Sequence, residues 1–287
     1  MDRNLARKLI EIENIPTLPA IMNRLLDAVE DADTSADDLT AILERDMAIS
    51  ARVLRLANSA FYGLRHRVDT IRRAVVVVGF QAVRMLALAT SVFDALSRHR
   101  QFAFEPEEFW MHSLGTAKAA QLLARRIPGK ESPESCFTAG LLLNIGKYCM
   151  ALALKEQYTE YVKLAEKNSR RLCDIELEAI HTTHAEAGQW LAEKWRLPEM
   201  FAVVLANHVR ARHYHGEFQR ENSIMALSNE ITREAGFGSA GDFAPPVLDP
   251  TAFGLDIPQE WVEAVRQETS DYAEEARAFL EILKRPE

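Results

Sequence analysis

Apolar residues recur at three- and four-residue spacing along nearly the whole chain, the period of helices that bury one face. In 18-LPAIMNRLLDAVEDA-32, Ile21, Leu25, Leu26 and Val29 share one side and the charges take the other. A second helix is predicted over 36-ADDLTAILERD-46. Thr34 or Ser35 caps it, and acids in its first turn suit a helix N-terminus. Next, 48-AISARVLRLA-57 turns Ile49, Val53, Leu54 and Leu56 inward, and 58-NSAFYG-63 breaks the pattern as a loop. The run 74-AVVVVGF-80 has the composition of a buried strand. However, Asp69-Thr70 offers a cap, 81-QAVRMLALATSVFDALS-97 continues at helical spacing, and no other segment supplies a partner strand. The run is therefore predicted as helix.

A polar connection, 99-HRQFAFEPEE-108, leads into a second half with the same period. Helices are predicted within 107–126, 139–150, 156–168, 172–180, 183–195, 198–208 and 220–235. Thr183 with Glu186 has the spacing of a capping box that starts a helix at His184. In 139-AGLLLNIGKYCM-150, Gly140 and Gly146 weaken a helix, so each is expected to permit close packing. Asn144 and Lys147 stand out there as polar groups in a segment that wants burial. A Gly- and Pro-rich loop over 236–254 precedes a tail with a short helix after Pro258 and a last one over 270–284. The prediction is an all-α protein. Residues 1–100 form an N-terminal helical half, 101–235 a second helical bundle on which it packs, and 236–287 a C-terminal loop with helices.

Composition adds little to this picture: 48% hydrophobic and 26% charged over 287 residues is ordinary globular make-up. A net charge of −8 argues against a nucleic-acid binder, whose domain is usually basic. Cys136, Cys149 and Cys173 show no paired spacing, which points to reduced thiols. No apolar h-region opens the chain, and no uncharged apolar run reaches the length of about 18 residues that spans a bilayer. These features predict a cytoplasmic protein without a membrane partner.

The candidate chemistry lies in histidines. His112, His184 and His208 fall within or at the ends of three predicted helices, in apolar surroundings. Converging imidazoles suit a transition metal, whereas a single imidazole beside apolar residues is more often a hydrogen-bonded core residue. No nucleophile elbow, phosphate-binding loop or dinucleotide turn is present, so a hydrolase would have to work through metal-activated water. Carboxylates usually share such sites, but the polar residues near these histidines are amides: Asn144, Asn207 and Asn229.

Several ordered motifs resemble the HDOD family, the HD-related output domain of bacterial signalling proteins. They are 15-IPTLPAIMNRLL, 45-RDMAISARVLRLANSAFYG-63, 71-IRRAVVVVGFQAVRMLAL, 109-FWMHSLGTAKAAQLLA, 138-TAGLLLNIGK and 184-HAEAGQWLAEKWRLP. Met47 departs from the proline usual in the second motif, and Ile15 from the leucine usual in the first. The resemblance runs from about residue 15 to 230. It implies an HD-like helical bundle related to metal-dependent phosphohydrolases, including cyclic-dinucleotide phosphodiesterases. Their Leu-His-Asp-Ile-Gly-Lys frame corresponds here to Leu142-Leu143-Asn144-Ile145-Gly146-Lys147, so Leu143 stands at the histidine position and Asn144 at the aspartate position. By the same resemblance His112, His184 and His208 match metal ligands, and Asn229 takes the place of the terminal aspartate.

Missing carboxylates imply a non-catalytic output module that acts on a protein partner in a bacterial signalling pathway, with no cofactor expected. One alternative is a phosphohydrolase in which the three histidines keep a single Fe, Zn or Mn ion. Another is a nucleotide or anion sensor in which Lys147 meets phosphate, with a cyclic dinucleotide as the less favoured ligand. Arg52, Arg55, Asn58, Tyr62, Arg65 and Arg67 mix cations with an aromatic, as contact surfaces do. Asn58 and Ser59 also suit the local role of satisfying backbone groups at a helix end.

Overall fold

The computed structural model describes residues 35–59, 64–97, 103–129 and 132–284. The helix over 18–32, the 15-IPTLPAIMNRLL motif, and Tyr62 lie outside them. Within the described residues every regular element is α- or 3-10-helical, so the all-α class holds. The chain forms two compact units. Residues 103–272 make the larger one; 35–97 and 273–284 make the smaller. The C-terminal tail is thus divided between them.

Among the described residues, the first helix of the smaller unit is α1, Ala36–Leu43. Ser35 accepts from Asp38 N at 3.2 Å, and the Asp38 carboxylate accepts from Ser35 N at 3.0 Å, a complete capping box. α2, Met47–Ala57, is capped by Asp46, which accepts from Ile49 N at 3.0 Å, and it buries Ile49, Val53, Leu56 and Ala57. Asn58 ends it. Its amide donates to Leu54 O and Val68 O, each at 2.7 Å, and its oxygen accepts from Val68 N at 2.8 Å. This side chain therefore ties the end of α2 to Val68. The valine run is helix α3, Ile71–Val78, capped by Thr70. It buries Ile71, Ala74 and Val75 at helical spacing and leaves Val76 77% exposed, so one-sided burial overrides strand propensity. Gly79, at φ +102°, ends α3 before α4, Phe80–Ser97. The last helix, Ala273–Lys284, packs on α2 and α4.

The larger unit is built around α5, Pro106–Arg126, which is buried along most of its length. The apolar stretch 139–150 is two helices rather than one: α6, Pro133–Leu142, and α7, Ile145–Leu154, meet at Leu143 and Asn144. Asn144 opens α7 without a side-chain cap bond: its Oδ1, the atom that would accept, has no partner, and its Nδ2 donates to Asn229 across the core. Pro133–Leu154 is long and apolar enough by composition to cross a membrane, yet 89% of its most apolar window is buried inside the protein. Then follow α8, Glu156–Lys167; α9, Leu172–Ile180; α10, His184–Lys194; and α11, Glu199–Asn207. A 3-10 turn over His208–His213 leads to α12, Gln219–Glu234, and the loop 236–258 leads to α13, Gln259–Asp271. α5 packs on α6 and α12, and α7 on α10.

Both glycines of the apolar stretch permit close packing, as predicted. A Cβ on Gly140 would lie 2.8 Å from Ala117 Cα; one on Gly146 would lie 1.8 Å from His184 O and 2.6 Å from Gly188 N. At Gly146 only a bare backbone allows α7 and α10 to approach this closely.

Candidate functional site

The site lies where α5, α7, α10 and α12 bring His112, Asn144, Lys147, His184 and Asn229 into one core. Asn229 is its hub. Its Oδ1 accepts from His112 Nε2 at 2.9 Å and from Asn144 Nδ2 at 3.0 Å. Two residues aligned with ligand positions are thus joined to each other through an amide. The proton of His112 sits on the nitrogen that faces Asn229, because an amide oxygen only accepts. Burial pushes this imidazole down to about 4, so it is neutral near pH 7. Leu143 is buried beside Asn144 and adds only apolar volume.

His184 opens α10, but not through the expected capping box. Thr183 makes no side-chain cap bond. Glu176, from α9, does this work: its Oε2 accepts from His184 N and from His184 Nδ1, both at 2.8 Å. Its Oε1 accepts from Tyr158 Oη at 2.5 Å. Burial raises the Glu176 carboxyl, but His184 and Tyr158 outweigh it and hold the group below the ordinary carboxylate range. His208 donates from Nδ1 to Leu205 O at 2.9 Å, and burial lowers it to about 3. The His184 and His208 rings stand 5.4 Å apart between centroids. His112 belongs to the same core but is tied to Asn229 instead of joining that pair.

Lys147 corrects an expectation. Its side chain is fully buried, and its ammonium donates to Asp242 Oδ2 at 2.6 Å and to Ala240 O at 2.9 Å. It is committed to the protein's own groups and is not a surface cation waiting for phosphate. Asp242 also accepts from Leu172 N at 2.8 Å through Oδ1. Burial alone would raise its carboxyl; the Lys147 charge and hydrogen bond win and leave it well below the carboxylate range. The loop carrying Asp242 runs tight against α5. Gly238 has φ +71°, and a Cβ there would meet Glu108 O at 2.3 Å and His112 N at 2.5 Å.

Three buried atoms in this core have no hydrogen-bond partner: His112 Nδ1, Asn144 Oδ1 and His184 Nε2. Two cavities open beside them. The larger, about 460 Å³, is lined by His184, His208, Asn229 and Asp242 and by several arginines. The smaller, about 220 Å³, touches His112, Arg233 and Asp242. Among the described residues no group of three or more His, Cys, Asp or Glu side chains is placed to hold a metal ion.

Sequence reasoning did not single out Glu176 or Asp242. Glu176 did leave a signal, an acid one step from Ile175 on the apolar face of 172-LCDIELEAI-180. Asp242 sits in a loop with no period to violate. Of the suggested contact residues, Arg65 and Arg67 are exposed and Arg52 and Arg55 half-buried, whereas the Asn58 side chain is spent on Leu54 and Val68.

The HDOD domain profile matches residues 15–211. An uncharacterized protein of Treponema pallidum is 28% identical over 225 residues, which cover 77% of this chain and 43% of that protein. The uncharacterized protein YuxH of Bacillus subtilis is 27% identical over 179 residues, covering 53% and 43%. The matches to these curated relatives thus span less than half of their length. A crystal structure of an HDOD domain protein of unknown function from Geobacter sulfurreducens aligns with a TM-score of 0.81 at 24% identity, over 97% of both chains. A Shewanella amazonensis protein provisionally named a phosphohydrolase aligns at 0.78 and 23% identity, over 98% of both. One from Marinobacter aquaeolei, provisionally named a signal transduction protein, aligns at 0.82 and 20% identity, over 98% of this chain and 65% of that one. These structures share the fold, and the profile assigns the family: the chain belongs to the HDOD domain family.

Proposed function

We propose that the chain is a non-catalytic signal-transduction module that acts through contact with a protein partner. The observation that carries this reading is the double hydrogen bond to Asn229 Oδ1. A phosphohydrolase of the HD type uses carboxylates to offset the charge of its ions. Here amides occupy the corresponding positions and bond to each other, and the nearby Asp242 carboxylate is neutralised by Lys147. A divalent cation placed in this core would meet a buried ammonium and no free carboxylate, which disfavours it electrostatically. Exposed Arg65 and Arg67 on the smaller unit are the candidate contact residues. The test is incubation with cyclic di-GMP and simple phosphodiesters in the presence of Mn²⁺, Fe²⁺ or Zn²⁺. Turnover that disappears in His184→Ala or His208→Ala refutes the reading. Partner capture unchanged in Arg65→Ala/Arg67→Ala counts against that surface.

One observation favours a second reading, a single ion held by the remaining imidazoles. His184 and His208 each donate from Nδ1 to a fixed acceptor, the arrangement that orients ligating histidines. Elemental analysis after purification without chelator separates the two readings. Less than about a tenth of an equivalent of metal removes the second one, given how tightly histidine sites hold zinc.

A further inference from the structure

The larger cavity collects positive charge in a chain of net charge −8. Arg171, Arg210, Arg212 and Arg233 line it, against the carboxylates of Glu230 and Asp242. Both carboxylates are already matched. Asp242 is paired with Lys147 behind the cavity wall, and Glu230 accepts from Arg233 Nη1 at 2.5 Å. Arg171, Arg210 and Arg212 remain, and none of them is in an ion pair among the described residues. Arg171 donates to Val209 O at 2.9 Å, which fixes its guanidinium against the 3-10 turn. Arg210 and Arg212, exposed on that turn, stand at the mouth.

Two buried groups in the wall are incompletely satisfied. The Arg233 side chain is 10% exposed; it bonds to Glu230 and to Ala244 O, yet its Nε has no partner. His184, 2% exposed, has its Nδ1 bonded to Glu176 and its Nε2 unpartnered. The wall thus offers guanidinium donors together with the unpartnered Nε2 of His184. A phosphate monoester, with a charge of about −1.5 to −2 and three acceptor oxygens, matches several guanidiniums better than a single carboxylate does. It can also bond an imidazole nitrogen either through an anionic oxygen or through its own O–H. A volume of about 460 Å³ is within the range of small-ligand sites.

From this we infer that the cavity is a binding site for a small phosphorylated metabolite, its phosphate held by Arg171, Arg210, Arg212 and Arg233 and by the Nε2 of His184. Lys147 takes no part. The site rests on the reading above only in that the bound ligand is not turned over. Isothermal titration of the whole chain with inorganic phosphate, adenosine 5′-monophosphate and adenosine tests it. Saturable binding of the two phosphates but not of adenosine is expected, with affinity falling at least tenfold in Arg210→Ala/Arg212→Ala. Both arginines are exposed, so the variant should fold, as circular dichroism will show. Absence of saturable binding at millimolar ligand, equal binding of adenosine, or an undiminished affinity in the folded variant overturns the site. Chromatography of the recovered nucleotide keeps the two claims apart: loss of its phosphate overturns the non-catalytic reading and leaves the binding site standing.

Discussion

Replacing Asp242 by asparagine should cost the larger unit about 3–5 kcal/mol, the usual penalty for stranding one member of a buried ion pair. The change is nearly isosteric and retains an oxygen for Leu172 N, so it isolates the charge. At 2.6 Å the gross attraction between Lys147 and Asp242 is about 6 kcal/mol at an effective dielectric of about 20, and desolvation of both groups offsets much of it. Without the carboxylate, a fully buried ammonium keeps only Ala240 O. All four tryptophans, Trp110, Trp190, Trp195 and Trp261, lie in the larger unit, so their fluorescence during urea unfolding follows that unit. With a slope of about 2 kcal/mol per molar urea, the midpoint should fall by about 2 M. Lys147→Met in the Asp242→Asn background should recover most of the loss, because neither charge then remains. A midpoint in Asp242→Asn within about 0.5 M of the parent, or strictly additive losses in the double variant, would refute the ion-pair account.

Gly146→Ala should destabilise the larger unit by about 3 kcal/mol or more by driving α7 from α10, since the new methyl meets backbone rather than a yielding side chain; a urea midpoint equal to the parent's would contradict this. Glu176→Gln keeps the shape but exchanges a carboxylate that accepts from Tyr158 and from His184 twice, and should cost about 2–4 kcal/mol in the same assay. His112 and His208 are held neutral, at about 4 and about 3 against an unfolded value near 6.5, so the unfolded chain binds more protons as pH falls. Their contribution is complete above about pH 6.5 and declines below it, by about 4 kcal/mol in total between pH 7.5 and 5. Asp242 has the opposite origin but acts in the same direction: its contribution is present above about pH 4, the unfolded carboxylate value, and is lost at more acid pH. Urea midpoints that do not change between pH 7.5 and 5 would count against buried neutral imidazoles. Asn229→Asp should raise the His112 titration from about 4 toward neutrality, because a carboxylate then accepts its proton; imidazole proton shifts in NMR report this directly.

The helices were legible because their signal is local. The 3.6-residue period settled the valine run of α3 as helix against its composition, and Ser35, Asp69-Thr70 and the glycines at 140 and 146 marked caps and contacts correctly. His112, Asn144 and Asn229 were named as members of one site, and a hydrogen-bonded trio is what the fold makes of them. What stayed hidden depends on residues brought together across the fold. Lys147 and Asp242 are 95 positions apart, and nothing around Asp242 in 238-GSAGDF-243 shows which cation it meets. Thr183 does not cap α10 with its side chain: Glu176, a buried carboxylate from another helix, takes the first amide of α10 at His184 N, and Glu186 accepts from Thr182 instead of closing a capping box. The arginine-lined cavity joins Arg171, just before α9, with arginines of the 3-10 turn and of α12, each of which reads singly as solvated charge.

Gly146 gives the stretch 144-NIGK-147 a different meaning from its ancestry. Because no side chain separates α7 from α10 at this point, the backbone of His184 and Gly188 packs directly against α7, one residue before the buried Lys147. The segment therefore works as a spacer gauge: one absent methyl group fixes how closely α7 and α10 approach beside the polar core, whether or not any ion is ever handled there.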